Sequence, residues 1–224
     1  MNQILIIIPI VILIIGIGGY FTIFTDENIE ISETEQTPQS ENPQTLIQTN
    51  VKSLFKVMAY ENDFEIIDGE KIWRNVFYEL DESNNSIYDK LKNDKKSAVV
   101  FPVFTAAAYS EPGFYTYYRG ECDDCTTTKF AQPTVLYTSS GIGHQALTLL
   151  GYPTITDIEI DKNPGILQQF DKVIMLHNEY VTRAMFDAIT NHPNVIYLYP
   201  NALYAEIEVN YIDETITLIR GHNY

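Results

Sequence analysis

In the stretch VIMLHNEYVTRAMFDAI, Val173 to Ile189, an apolar run breaks at four polar residues, His177, Asn178, Glu179 and Tyr180. An imidazole and a carboxylate two residues apart can move a proton or hold a cation, provided the fold turns both inward. The apolar residues before them read as a buried strand. Those after them read as a helix: Thr182 is its N-cap or first turn, Met185, Phe186 and Ile189 form its apolar stripe, and His192-Pro193 stops it. The four residues thus stand at the carboxyl end of a strand, just before a helix, where open α/β sheets place their ligands. A purely structural role fits the same position, because a carboxylate near a helix N-terminus is stabilised by the helix dipole.

Other residues with chemical potential are fewer. Cys122-Asp123-Asp124-Cys125 holds the two cysteines of the chain; with no second pair to complete a zinc site, it is expected to form a disulfide pinning its loop, as in exported proteins. Gly141-Ile142-Gly143 lacks the third glycine and the lysine of phosphate-binding loops, and no G-x-S-x-G elbow is present. His144, at the start of a helix, is either a packing residue or a contact at the sheet edge that carries His177. Asn201-Ala202-Leu203-Tyr204 follows another strand and should turn beside the same crevice. Sixteen tyrosines are many for 224 residues; most should be half-buried sheet or interface residues. Tyr115, Tyr117 and Tyr118 are clustered enough to suggest a binding patch.

The elements that must position these groups begin near residue 97. Strand-like and helix-like segments alternate from there, the grammar of a mainly parallel α/β sheet. VVFPVFTAA, TVLYTS, ITDIEI, KVIMLH and NVIYLYP read as extended runs, GHQALTLLGY as a helix closed by Gly151, and GILQQF as a helical turn or two. The tail AEIEVNYIDETITLIRG reads as an antiparallel hairpin at the sheet edge, turning at Ile212 to Glu214. Between residues 46 and 96 a small helical or mixed region is expected, its first helix suggested by the spacing of Leu46, Val51, Leu54, Phe55 and Met58.

The amino-terminal residues are a different material. Ile4 to Phe24 is an uncharged apolar run long enough to span a bilayer as a helix, and no Lys or Arg precedes Lys52. Residues 1–25 are therefore expected to be a transmembrane anchor, with a cleaved signal peptide as the alternative, followed by an acidic, disordered stalk over residues 26–45. The simplest topology places the globular part outside the cytoplasm, at the cell membrane, and the sequon Asn84-Asn85-Ser86 is compatible with that. A net charge of −16 and a pI near 4.5 argue against nucleic acid as a partner.

The block Gly151 to Ile207 has, in order, a GY and an extended segment ending in acidic residues, a strand of the form fD.vi, the turn H-x-E-Y, a helix of the form M.dAi, and the turn N-x-LY. In that order it resembles the carboxyl-terminal region of the large subunit of N,N-dimethylformamidase. FTAAAYSEPGFYTYY, Phe104 to Tyr118, resembles an AYN…GG…Y segment of the same family, with Ser110 in place of the Asn and Gly113 alone of the glycine pair. The resemblance covers at most about half of the chain. It implies a flavodoxin- or amidotransferase-like three-layer α/β fold over residues 97–224 and an iron-dependent hydrolase of small amide C–N bonds. Carried over residue by residue, it makes Glu179 and Tyr109 metal ligands and His177 the neighbouring catalytic base. The second phenolate is sought among Tyr115, Tyr118 and Tyr137, with Tyr137 taken as the ligand. Tyr180, Asn201, Tyr204 and His144 are the candidates for substrate contact. No cysteine stands at the strand-to-helix turn where a glutamine amidotransferase carries its nucleophile. The other expectation, from a different class, is a non-catalytic surface module that keeps the scaffold for binding or structure.

Overall fold

The computed structural model describes residues 45–92, 96–131 and 140–221. The expected anchor and stalk over residues 1–44, the run TVLYTS and Tyr137 lie outside the described residues. Among the described residues no helix is long and apolar enough to cross a membrane.

Chain order begins with β1 (Leu46–Gln48), β2 (Lys56–Tyr60), the hairpin of β3 (Phe64–Ile67) and β4 (Glu70–Trp73), then β5 (Phe77–Glu79) and α1 (Asn85–Leu91). The region is mixed, but the helix expected from Leu46 to Met58 is absent: β1 and β2 pair antiparallel there, and β2 pairs with β5. The buried set is Phe55, Val57 and Ala59, a period of two rather than of 3.6. Local hydrogen bonds from Val51 N–H to Thr49 Oγ1 and from Phe55 N–H to Ser53 Oγ, both 3.3 Å, offer the backbone an alternative to helix. Phe55 stacks between Tyr78 and Tyr88 at ring separations of 5.1 and 5.5 Å.

After this come β6 (Ser97–Phe101), α2 (Val103–Ala108), α3 (Phe114–Tyr118), β7 (Thr127–Lys129), α4 (Ser140–Leu149), β8 (Thr154–Thr156) and α5 (Asp157–Lys162). They are followed by β9 (Lys172–Met175), β10 (Tyr180–Val181), α6 (Arg183–Thr190), β11 (Val195–Tyr197), β12 (Ala205–Asn210) and β13 (Thr215–Arg220). Two expected extended runs are shorter than anticipated. VVFPVFTAA divides at Pro102, which ends β6 and is the N-cap of α2. ITDIEI divides at Thr156, whose hydroxyl accepts from Glu159 N–H while the Glu159 carboxylate accepts from Thr156 N–H, a capping box that opens α5.

The fold is mixed α/β. Its parallel sheet has the order β11-β9-β6-β8, and both faces are covered, which is why SAVVF reads as a continuous apolar run. Ala98, Val100, Val173 and Met175 face a core completed by α2, α5 and α6, with Phe104, Ile160, Met185 and Ile189 fully buried in it. Val99, Ile174 and Leu176 pack on the other face beneath Leu147 of α4. The parallel arrangement is confined to these four strands, with one further parallel pair, β10 with β12. The carboxyl-terminal hairpin β12–β13 forms as expected. It does not extend the edge of the parallel sheet, however: it belongs to a separate sheet of order β10-β12-β13-β7. The reason lies in Ala205, Ile207, Ile216 and Leu218, buried in the same core as α2, so this sheet covers the core rather than prolonging the parallel one.

Candidate functional site

In chain order the parallel strands run 4-3-1-2 across the sheet, so the direction of winding reverses between β6 and β9. A crevice at the carboxyl ends of two such strands is where ligands bind in sheets of this type. Tyr109 ends α2, which follows β6, and Glu179 follows β9. One helical turn separates Thr105 from Tyr109, so the two project from the same face of α2. Thr105 Oγ1 accepts hydrogen bonds from Glu179 N–H (2.9 Å) and Tyr180 N–H (3.2 Å), and Tyr109 Oη donates to Glu179 Oε2 at 2.7 Å.

The rest of the turn is equally fixed. Asn178 Oδ1 accepts from Leu176 N–H (3.0 Å), and Ser140 Oγ accepts from His177 N–H (3.2 Å). The carbonyl of Asn178 accepts from Leu203 N–H, and that of Glu179 from Tyr204 N–H and Ala205 N–H, at 2.8, 2.9 and 3.0 Å. Glu179 does not cap the following helix. Thr182 does so, its hydroxyl accepting from Met185 N–H and donating to the Asp161 carboxylate. The Glu179 side chain is free to turn inward, where it is fully buried.

Around that carboxylate the structure gathers oxygens. Tyr115 Oη donates to Tyr109 Oη at 2.7 Å and lies 3.5 Å from Glu179 Oε1. Tyr180, fully buried, donates to Tyr118 Oη at 3.5 Å. Burial is the main cause that raises the Tyr109 phenol above its ordinary pKa, followed by its hydrogen bonds to Tyr115 and Glu179. Burial likewise raises Tyr180 and Tyr118. Tyr109 is therefore a neutral donor to the buried Glu179 carboxylate, and a cation replacing that hydrogen bond must displace its proton.

His177 lies between two tyrosines, stacked on Tyr199 at 4.3 Å and tilted against Tyr109 at 5.4 Å. Its Nε2 stands 3.2 Å from Glu179 Oε2. The approach is off the hydrogen-bond direction, so both ring nitrogens and Asn178 Nδ2 are buried atoms with no hydrogen-bond partner among the described residues. Buried polar atoms of this kind are few in folded proteins.

The donor set fits a hard cation. Bonds of about 2 Å put neighbouring ligand oxygens roughly 2.8–3.3 Å apart, and the Tyr109, Tyr115 and Glu179 oxygens are separated by 2.7 to 3.5 Å. Among the described residues no group of three His, Cys, Asp or Glu comes together that could hold a metal. An ion at Glu179 would thus depend on phenolic oxygens, the ligands that favour hard, highly charged metals.

The remaining expected site residues are placed apart from the Glu179 side chain. Asn201 is exposed in the turn before β12, and Tyr204, 54% exposed, lines a cleft of about 380 Å³ with Thr182, Phe186 and Arg220. The Tyr204 N–H, with those of Leu203 and Ala205, holds the 178–179 turn. His144 Nε2 is 2.7 Å from Thr154 Oγ1, and its ring packs on Phe101; burial lowers its pKa. Cys122 and Cys125 form a disulfide in the loop between α3 and β7. Thr105, Ser140 and Tyr199 were not anticipated. Thr105 alone carried a signal, its four-residue spacing from Tyr109. Comparison of the chain with protein-family models and with curated proteins finds no match.

Proposed function

We propose that this chain is a membrane-anchored, extracytoplasmic α/β protein of flavodoxin- or amidotransferase-like architecture. It hydrolyses the C–N bond of small amides at one hard cation, iron by resemblance to N,N-dimethylformamidase. One observation carries the reading: the oxygens of Tyr109, Tyr115 and a fully buried Glu179 converge within 2.7 to 3.5 Å at the reversal point of the sheet. Glu179, Tyr109 and a second phenolate, Tyr115 or Tyr137, are the groups that would hold the ion. Bound there, it would supply Lewis acidity toward an amide carbonyl and make water acidic near neutral pH.

The protein's own part is positional. His177, beside Glu179, is the base that accepts a proton from the attacking water and returns it to the departing nitrogen. Tyr199 and Tyr109 fix the plane of its ring. Thr105 fixes the backbone from which the carboxylate projects. The membrane is the partner of residues 4–24, and the charge of −16 turns polyanions away.

A non-catalytic surface module is the second reading, favoured by one feature: phenols and carboxylate already satisfy one another as hydrogen-bonded groups. Metal analysis separates the two. Full-length protein from iron-supplemented cells should hold close to one iron per chain, with the visible absorption of a ferric phenolate, and Glu179→Gln should lose both. Wild-type protein without bound metal, or a Glu179→Gln variant with undiminished metal, would leave only the second reading.

A further inference from the structure

The first turn of α6, the start of β12 and the end of β13 enclose a cleft of about 380 Å³, a volume suited to a small molecule. No residue of the Glu179 cluster lines it, so it is a place apart from the site above. Phe186, Leu203 and Tyr204 give it apolar walls, and Ala205 and Gly221 add almost no bulk. Among these walls stand Arg183 and Arg220, half of the four arginines in a chain whose net charge is −16. Each makes one ion pair among the described residues: Arg183 Nε donates to Asp187 Oδ2 at 3.1 Å, and Arg220 Nη2 lies 2.5 Å from Glu206 Oε2. A guanidinium has five N–H donors, so both keep donors to spare, and ion pairs as exposed as these are weak. Asp187 does not line the cleft, which leaves two guanidinium groups there against the one carboxylate of Glu206.

We propose that this cleft is a binding site for a small monocarboxylate with a compact aromatic body, independent of any chemistry at Glu179. The planar fork of an arginine matches the two oxygens of a carboxylate, and such charge-assisted pairs are stronger than neutral hydrogen bonds. Phe186, Leu203 and Tyr204 then cover the ring, while Arg183, whose guanidinium lies 5.8 Å from the centre of the Phe186 ring, stands beside it. The remaining lining decides against other charges. An ammonium would meet two guanidinium groups, and a phosphate dianion would be repelled by Glu206 about twice as strongly as a monoanion at the same distance.

The test titrates full-length protein with phenylacetate, its neutral analogue phenylacetone, acetate and inorganic phosphate, each followed by ligand-detected NMR. Phenylacetate should bind about tenfold more tightly than phenylacetone, the worth of a charge-assisted hydrogen bond, and about tenfold more tightly than acetate, the worth of a partly covered ring. Arg183→Gln and Arg220→Gln, at side chains 66% and 64% exposed, should each remove most of the first advantage with little change in thermal midpoint. Phe186→Ala should remove most of the second and leave acetate unchanged. Phenylacetate held no better than phenylacetone, or an affinity untouched by both arginine substitutions, would overturn the proposal. Phosphate bound more tightly than phenylacetate would overturn it too, by making the cleft a phosphate site. Glu179→Gln should leave phenylacetate binding as it is. Its loss there would put the carboxylate on a metal at Glu179 instead of in the cleft.

Discussion

Asp157 is a second fully buried carboxylate, and it does different work from Glu179. Its Oδ2 accepts from Phe104 N–H and its Oδ1 from Ile158 N–H, both at 2.9 Å, so it ties the first turn of α2 to the end of β8. Desolvation raises its pKa to about 8 against the pull of those N–H groups. The unfolded carboxyl ionises near 3.8, so between those two values the folded chain holds one proton more than the unfolded. Stability from this group is therefore complete below about pH 4 and is lost as pH rises through 8. Denaturation midpoints measured across that interval should fall with rising pH, and Asp157→Asn should flatten the slope. A wild-type slope of zero would mean that the carboxylate is buried in its charged form.

At the scale of elements, the site depends on how α2 and α3 meet. A β-carbon placed on Gly113, which opens α3, would lie 2.3 Å from the Ser110 carbonyl oxygen and 3.1 Å from that of Ala108. Both obstacles are backbone and cannot rotate away, so α3 and Tyr115 would have to move. Gly113→Ala should destabilise the protein by about 1–3 kcal/mol, read as a lower denaturant midpoint with an unchanged slope, and should weaken any metal retention that depends on Tyr115. That glycine was visible in the sequence as the survivor of a glycine pair. Its necessity was not, because the clash arises between residues that only the turn brings together.

For the whole molecule, α4 is the shared layer. It packs under the parallel sheet through Leu147, with Gly143 allowing close approach to Leu176, and its Gln145 Oε1 accepts from Tyr78 N–H of β5 at 2.9 Å. Among the described residues the amino-terminal antiparallel sheet meets the α/β core at α4. Phe55→Ala, which empties the space between Tyr78 and Tyr88, should cost about 3–5 kcal/mol and shift a single thermal transition. Two separated transitions in calorimetry would show that residues 46–92 melt independently of the core.

The sequence by itself determined the alternation of strand and helix after residue 97, the carboxyl-terminal hairpin, the Thr182 cap, the disulfide, and the position of His177 and Glu179 at a strand end. Each is written locally, in apolar periodicity, turn residues or close spacing. It misled over residues 46–60, where apolar spacing imitated a helix, and it missed the capping box at Thr156 that ends a strand early. The resemblance already paired Tyr109 with Glu179, but tertiary structure alone decided which further phenol reaches it. Tyr109 and Tyr115 lie 70 and 64 residues from Glu179 in the chain, and no local pattern distinguishes Tyr115 from Tyr118 or Tyr137. Their convergence follows from strand order, because the reversal between β6 and β9 sets the ends of two distant segments side by side.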